Sequence, residues 1–316
     1  SSTNVLNGLR PITQQQNTRG LVLGYVQSGK TTNFMSVIAK AADAGFRLIV
    51  VLTGITDNLR QQTQNRLDEK LINLQAHRWI RLTDHENDFS GDKNGSKLAN
   101  RNDRFIAVVK KNPHRLRRLN EWIADAGNAG ESCPILVIDD EADQASIDVS
   151  NKSKADRSAI NKQISQLLDH QTTAYIAYTA TPFANILIDP NDTANLYPRD
   201  FIVTLPEPRG YFGSRKLFGR APLRGENPEV VDELTGYNMI REISEAEVDS
   251  IRPGKNDEGL VKSVSGGPAL SASIRWFLLA TAARRARGQS DKHSSMLVHT
   301  SMLTDDHEDL ERVVST

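Results

Sequence analysis

Five short apolar runs, each separated from the next by a longer segment of helical period, constrain this chain more than any other feature of its sequence. The runs are Gly20–Leu23, Leu48–Leu52, Phe105–Val109, Ile135–Ile138 and Tyr175–Tyr178; helical segments lie near 30–44, 57–75, 114–126 and 156–170. Strands that are apolar throughout, rather than alternating with polar residues, are buried on both faces. Separated by helices, they predict a parallel sheet with helices on either side, an α/β fold. Residues 84–103 are rich in Asn, Asp and Gly and read as a surface loop.

After Ile188 the pattern weakens. Asp189-Pro190-Asn191-Asp192 is a turn, and Phe201–Leu205 reads as a strand. Residues 226–258 hold ten acidic residues against three basic ones and read as an insertion or connector. A helix resumes at 269–287, and Ser295–His299 reads as a buried strand. A strand so close to Thr316 has little sequence left to pack around it. The expectation is a piece of a longer protein that ends early in a second α/β domain, with the first domain at 1–188, an inserted or connecting subdomain at 189–267 and the second domain starting at 268–316.

With 316 residues, 38% of them hydrophobic and 25% charged, the chain is long and apolar enough for a sizeable core. Lys plus Arg and Asp plus Glu both number 39, so no general attraction to polyanions exists and any nucleic-acid contact must come from local patches. No apolar run is long enough to span a bilayer, and no signal peptide is evident, so no membrane partner is expected. The single cysteine, Cys133, excludes an internal disulfide and a cysteine-based zinc site; it reads as a passive small residue. These features suggest a soluble protein of a reducing cytoplasm.

The stretch Gly24-Tyr25-Val26-Gln27-Ser28-Gly29-Lys30-Thr31 fits G-x-x-x-x-G-K-[ST] in full, after a strand and before a helix. Such a loop turns backbone N–H groups toward phosphates and adds the helix dipole. Gly24, Gln27, Ser28, Gly29, Lys30, Thr31 and Thr32 are therefore expected to hold ATP, with Lys30 on the β- and γ-phosphates and Thr31 on Mg2+. About a hundred residues later, Ile135–Ile138 runs into Asp139-Asp140-Glu141-Ala142-Asp143. The register that makes a DEAD-type box assigns Asp140 to Mg2+ and Glu141 to the attacking water, and makes Lys30, Asp140 and Glu141 the catalytic set.

Thr179-Ala180-Thr181-Pro182 follows the last apolar run, where Thr179 and Thr181 can hydrogen-bond the acidic box and couple it to the γ-phosphate. Leu52-Thr53-Gly54 and Asn58–Thr63 sit at a strand end and the following helix start. There Thr53 and Arg60 read equally as phosphate-backbone contacts or as an ordinary helix start with a solvated polar face. Lys110 and Lys111 end another strand on the same sheet edge and are further nucleic-acid candidates. Arg115–Arg118 read as a solvated helix face, and Arg284, Arg285 and Arg287 as last-turn cations. Gln14–Gln16 read as a polar loop.

These residues resemble the Z-one domain family, endonuclease-associated ATPases of bacteria. The resemblance is carried by Arg19–Thr31, Asn58–Gln64, Ile138–Ser146, Tyr178–Asn185, Tyr197–Ile202 and Ser295–His299. It implies a RecA-like P-loop domain of a superfamily-two helicase-like ATPase that is often encoded with restriction or phage-defence genes. It also implies a second RecA-like lobe that supplies arginines to the triphosphate. The expected function is the ATP-hydrolysing motor lobe of a DNA translocase, with DNA and a nuclease or other defence proteins as partners. Residues 1–316 would by themselves turn over weakly or not at all. An ATP-driven switch or assembly protein acting on protein partners is the alternative. No PD-(D/E)xK nuclease pattern is present: Asp68-Glu69-Lys70 falls on a polar helix without a Pro-Asp partner upstream.

Overall fold

The structure is a computed structural model, and it describes residues 1–91, 95–146, 158–190, 195–227, 235–237, 239–251, 267–299 and 304–315. The chain forms two compact units, Ser1–Ser214 and Arg215–Thr316.

The first unit is built on seven strands: β1 Thr18–Leu23, β2 Leu48–Thr53, β3 Ile80–Arg81, β4 Phe105–Lys110, β5 Ile135–Asp140, β6 Thr173–Thr179 and β7 Phe201–Thr204. They form one parallel sheet in the order β3-β4-β2-β5-β6-β1-β7. Its helices are α1 Ser2–Asn7, α2 Lys30–Asp43, α3 Asp57–Leu67, α4 Pro113–Ala124, α5 Asn128–Glu131, α6 Ala159–Leu168 and α7 Phe183–Ile186. Local chemistry starts several of them. Thr56 caps α3 by accepting from the Leu59 amide, Asn112 caps α4 with Pro113 in the first turn, and Ser158 caps α6 by accepting from the Asn161 amide.

Side chains alternate across a strand, so each buried strand feeds two cores. Val22, Val51, Ile106, Ile138 and Tyr178 pack with Phe34 and Ile38 of α2 and Leu67 of α3 on one face. Leu21, Val50, Ala107, Val137 and Tyr175 pack with Leu119 and Trp122 of α4 and Ile164 of α6 on the other. This parity decides where the residues just past each strand point, and hence how the site is assembled.

Three expectations need correction. The first compact unit runs past residue 188 to Ser214, because β7 pairs with β1 in the sheet. The helical pattern at 57–75 breaks: α3 ends at Leu67, one π turn covers Asp68–Ile72, and a kinked 3-10 segment follows. In the second unit, with helices α8 Ser214–Phe218, α9 Glu245–Ile251, α10 Pro268–Ala286 and α11 Thr304–Ser315, Ser295–His299 forms no strand. Leu297 in that stretch is 87% exposed; an apolar run becomes a strand only where a neighbouring strand satisfies its backbone. Much of the acidic stretch, residues 228–234, 238 and 252–258, lies outside the described residues. No helix among the described residues is long and apolar enough to cross a membrane.

Candidate functional site

The loop between β1 and α2 is shaped by its glycines. Gly29 precedes α2 at φ +88°, a left-handed conformation open to glycine at no steric cost. Gly24 lies under the Lys30 side chain: a Cβ there would stand 2.7 Å from Lys30 Cγ. The Gly24 amide donates to the Thr179 carbonyl at 3.1 Å, pinning the loop to the end of β6, and Ser28 N–H closes the turn on the Tyr25 carbonyl. Lys30 Nζ arches back over the loop to the same carbonyl at 3.1 Å. Ser28 Oγ is buried and has no hydrogen-bond partner in the protein. A buried hydroxyl left unmet beside a lysine and a helix N-terminus suits an anionic group.

The acidic box follows β5, two strands away from β1 with β6 between them. Parity separates its first two carboxylates. Asp140 continues the Leu136–Ile138 side of the strand, which faces α2 and the phosphate loop. Asp139 continues the Ile135–Val137 side and turns into the opposite core. Asp139 is fully buried, paired with Lys111 Nζ at 2.7 Å and accepting from Tyr175 Oη at 2.6 Å. Of the Asp139-Asp140 doublet, only Asp140 lines the cleft beside the phosphate loop.

Burial, with Glu141 adding repulsion, pushes Asp140 up to about 6, against the opposing pull of Lys111 and Lys30. Thr31 and Asp140 line the same cleft, and a hydroxyl with a carboxylate there is an oxygen donor set of the kind magnesium takes. Magnesium sites of this kind use few protein ligands and complete their shell with phosphates and water. Among the described residues, no group of three or more His, Cys, Asp or Glu side chains is placed to hold a metal ion by itself.

Glu141 sits at φ +54°, a region costing a non-glycine residue about 1–3 kcal/mol. Its turn is pinned from several sides: the Ala142 amide donates to the Tyr178 carbonyl, the Gln144 amide to the Glu141 carbonyl, and Lys111 Nζ to the carbonyls of Asp140, Glu141 and Gln144. Asp143 accepts from both threonines of the β6 turn, Thr179 Oγ1 at 2.7 Å and Thr181 Oγ1 at 2.6 Å. Burial works against its ionisation, but these two hydroxyls, a backbone amide and Lys111 together hold Asp143 below the usual carboxylate range.

Loop, box and threonine turn open on one cleft of about 810 Å3 at the C-terminal edge of the sheet. That is ample for a nucleotide. Its far wall is one face of α3, contributing Leu59, Gln62, Thr63 and the exposed Arg66, with Lys70 beyond. The sequence singled out Asn58–Thr63 only as a candidate nucleic-acid contact and Lys70 only within the excluded nuclease pattern, and did not mark Arg66 at all. The spacing of Gln62 and Arg66 by four marks a common helix face, but nothing in the sequence says that this face looks toward α2.

The nucleic-acid candidates fare differently. Arg60 is buried at 1% exposure, with its guanidinium donating to the carbonyls of Asp84 and His85; it fastens the 84–91 loop to α3 and is not available to a phosphate. Lys111 is likewise buried, on Asp139 and the box carbonyls. Thr53 is 1% exposed, its hydroxyl toward the Val109 carbonyl. Lys110 reaches the surface and pairs with Asp57 at 2.8 Å. Thr53, Arg60 and Lys111 are thus committed to contacts inside the lobe, whereas Lys110 stays at the surface. Cys133 is buried, and desolvation pushes its thiol up to about 11, out of the reactive range.

Tyr175→Phe removes one buried hydrogen bond from Asp139 and leaves the carboxylate partly unmet. It is expected to lower stability by about 1–2 kcal/mol, read as a shift in the urea unfolding midpoint. An unchanged midpoint would mean that the Tyr175–Asp139 bond is not formed in solution.

Several known proteins are similar to this chain. Among solved structures, the helicase domain of Pyrococcus furiosus Hef is similar at 15% identity and a TM-score of 0.40, over 66% of this chain and 39% of that one. The DUF1998 helicase MrfA, in a structure bound to DNA and AMPPNP, is similar at 12% identity and a TM-score of 0.37, over 63% of this chain and 26% of that one. The chain thus spans well under two thirds of either. No curated protein matches. Residues 269–316 match the model of the Z1 domain, the same Z-one family that the phosphate-loop, acidic-box and Thr179–Pro182 motifs resemble.

Proposed function

We propose that this chain is the nucleotide-binding lobe of an ATP-hydrolysing, helicase-like motor acting on DNA, of the kind found in bacterial restriction or phage-defence systems. The observation that carries the reading is the convergence of three separate strand ends on one cleft. The phosphate loop after β1, the acidic box after β5 and the threonine turn after β6 all line it, and the last two are joined by the Asp143 hydrogen bonds.

In this reading the loop amides and Lys30 bind the β- and γ-phosphates and neutralise charge as the terminal phosphoryl group departs. Thr31 and Asp140 would hold magnesium, which would supply Lewis-acid charge neutralisation. Glu141 orients water in line with the bond to ADP and accepts its proton. Water adds to the γ-phosphorus, the bond to the β-phosphate oxygen breaks, and ADP and inorganic phosphate result. Thr179 and Thr181 report the state of the cleft through Asp143, since the same carboxylate shares its turn with Glu141.

The test is ATP turnover by the full-length protein with and without DNA, together with DNA affinity as a function of salt. Phosphate contacts give a slope of log affinity on log salt of about −0.9 per neutralised phosphate. Stimulation by DNA and a slope of several units are the expected results. A flat salt response with DNA-independent turnover favours a second reading, an ATP-driven switch acting on protein partners. One observation speaks for that second reading: Thr53, Arg60 and Lys111 are all committed to contacts inside the lobe.

A further inference from the structure

Lys111 takes no part in the hydrolytic steps, yet it lies directly behind the acidic box. It stands on the opposite parity from Lys110: Lys110 follows Ile106 and Val108 toward α3, whereas Lys111 follows Phe105, Ala107 and Val109 into the core under α4 and α6. Its ammonium has three hydrogens to give. It gives them to the carbonyls of Asp140 at 2.8 Å, Glu141 at 2.8 Å and Gln144 at 3.1 Å, and stands 2.7 Å from Asp139 Oδ1 as its ion-pair partner. Both members of the ion pair have fully buried side chains.

A buried ion pair is a poor way to add stability, because a well-packed apolar pair of similar volume does as well or better. What an apolar pair cannot do is gather three carbonyls of one turn onto a single donor. That turn places Glu141 in left-handed backbone, so its shape is not one the residue adopts unaided. Removing the clamp leaves the turn free to relax and to swing Asp140 and Glu141 away from the phosphate loop.

We propose that Lys111 is a positioning residue for hydrolysis: from the far face of the sheet it clamps the backbone of the acidic box and so fixes where the Asp140 and Glu141 carboxylates point. This rests on the ATPase reading of the cleft, and the experiment separates the two.

Lys111→Met alone would strand the Asp139 charge, so the main variant is the charge-balanced Lys111→Met/Asp139→Asn, which keeps an acceptor for Tyr175. In the full-length protein it is expected to bind metal-free ATP within about three-fold of wild type, because the phosphate loop is untouched. It is expected to lose about 100-fold in kcat, the scale of an ångström-sized misplacement, and to lose the gain in ATP affinity that Mg2+ gives wild type. A pair with only a structural role would lower the unfolding midpoint while kcat per folded molecule and the Mg2+ gain stay at wild-type values; that result overturns the proposal. Lys111→Arg keeps the charge, but a planar guanidinium cannot converge on three carbonyls, so it is expected to fold and to lose about ten-fold in kcat. Wild-type kcat in that variant overturns the proposal even if the double variant does not fold. Lys30→Ala is measured alongside. Undiminished turnover there defeats the ATPase reading itself, whereas a dead Lys30→Ala with fully active Lys111 variants defeats only the clamp.

Discussion

Lys30→Ala is expected to cut ATP turnover of the full-length protein by at least about 10²–10³-fold, a loss of roughly 2.7–4 kcal/mol of transition-state stabilisation. The reason is local. Lys30 is the cation that the loop aims over its own carbonyls, held to the Tyr25 carbonyl at 3.1 Å and seated over Gly24, where even a methyl group would collide with it. Alanine removes the charge without disturbing the turn, since the Ser28–Tyr25 and Gly24–Thr179 backbone bonds do not involve the side chain. The unfolding midpoint should therefore barely move while turnover and triphosphate affinity fall together. Turnover at the wild-type rate in a folded Lys30→Ala protein would remove this cleft as the site of hydrolysis.

The features that sequence displays well are those set by local chemistry. Apolar runs without polar alternation gave the central strands to within two residues at each end, because full burial on both faces leaves no room for other residue types. The phosphate loop is legible because its glycines answer backbone demands, a left-handed φ at Gly29 and close approach at Gly24, that few other residues meet. Strand β3, with two residues, carries no pattern at all, and β7 is recognisable as a strand but not as an edge of this sheet.

The destinations of single polar side chains were harder. Lys110 and Lys111 look alike in sequence, and only strand parity sends one to Asp57 at the surface and the other to Asp139 in the core. That signal lies in the sequence: counting alternate residues back from Lys111 through Val109 and Ala107 predicts the α4–α6 face. Arg60 offered no such signal, because its carbonyl partners belong to a loop 24 and 25 residues away whose path is set by tertiary packing. The cleft wall on α3 was hidden for the same reason, since it depends on α2 and α3 sharing one face of the sheet.

Glu141→Gln carries the second large effect and tests the division of labour inside the acidic box. The amide keeps the size of the side chain and can still hydrogen-bond water, but it cannot take a proton, so turnover is expected to fall by about 10²–10⁴-fold. ATP binding should persist, because Lys30, Thr31 and Asp140 remain. The fold should persist too, because Lys111 and Gln144 hold Glu141 through its backbone carbonyl. The neighbouring replacements are expected to behave differently. Asp140→Asn removes the carboxylate on the phosphate-loop face, so its main effect is a higher Mg2+ requirement. Asp139→Asn touches neither nucleotide nor metal and acts on stability through Lys111 and Tyr175. The three variants can be compared by single-turnover hydrolysis, Mg2+ titration and urea unfolding. If Asp139→Asn proved the hydrolysis-dead, ATP-binding variant and Glu141→Gln remained active, the face assignment drawn from strand parity would be wrong and the box would have to be read one residue earlier.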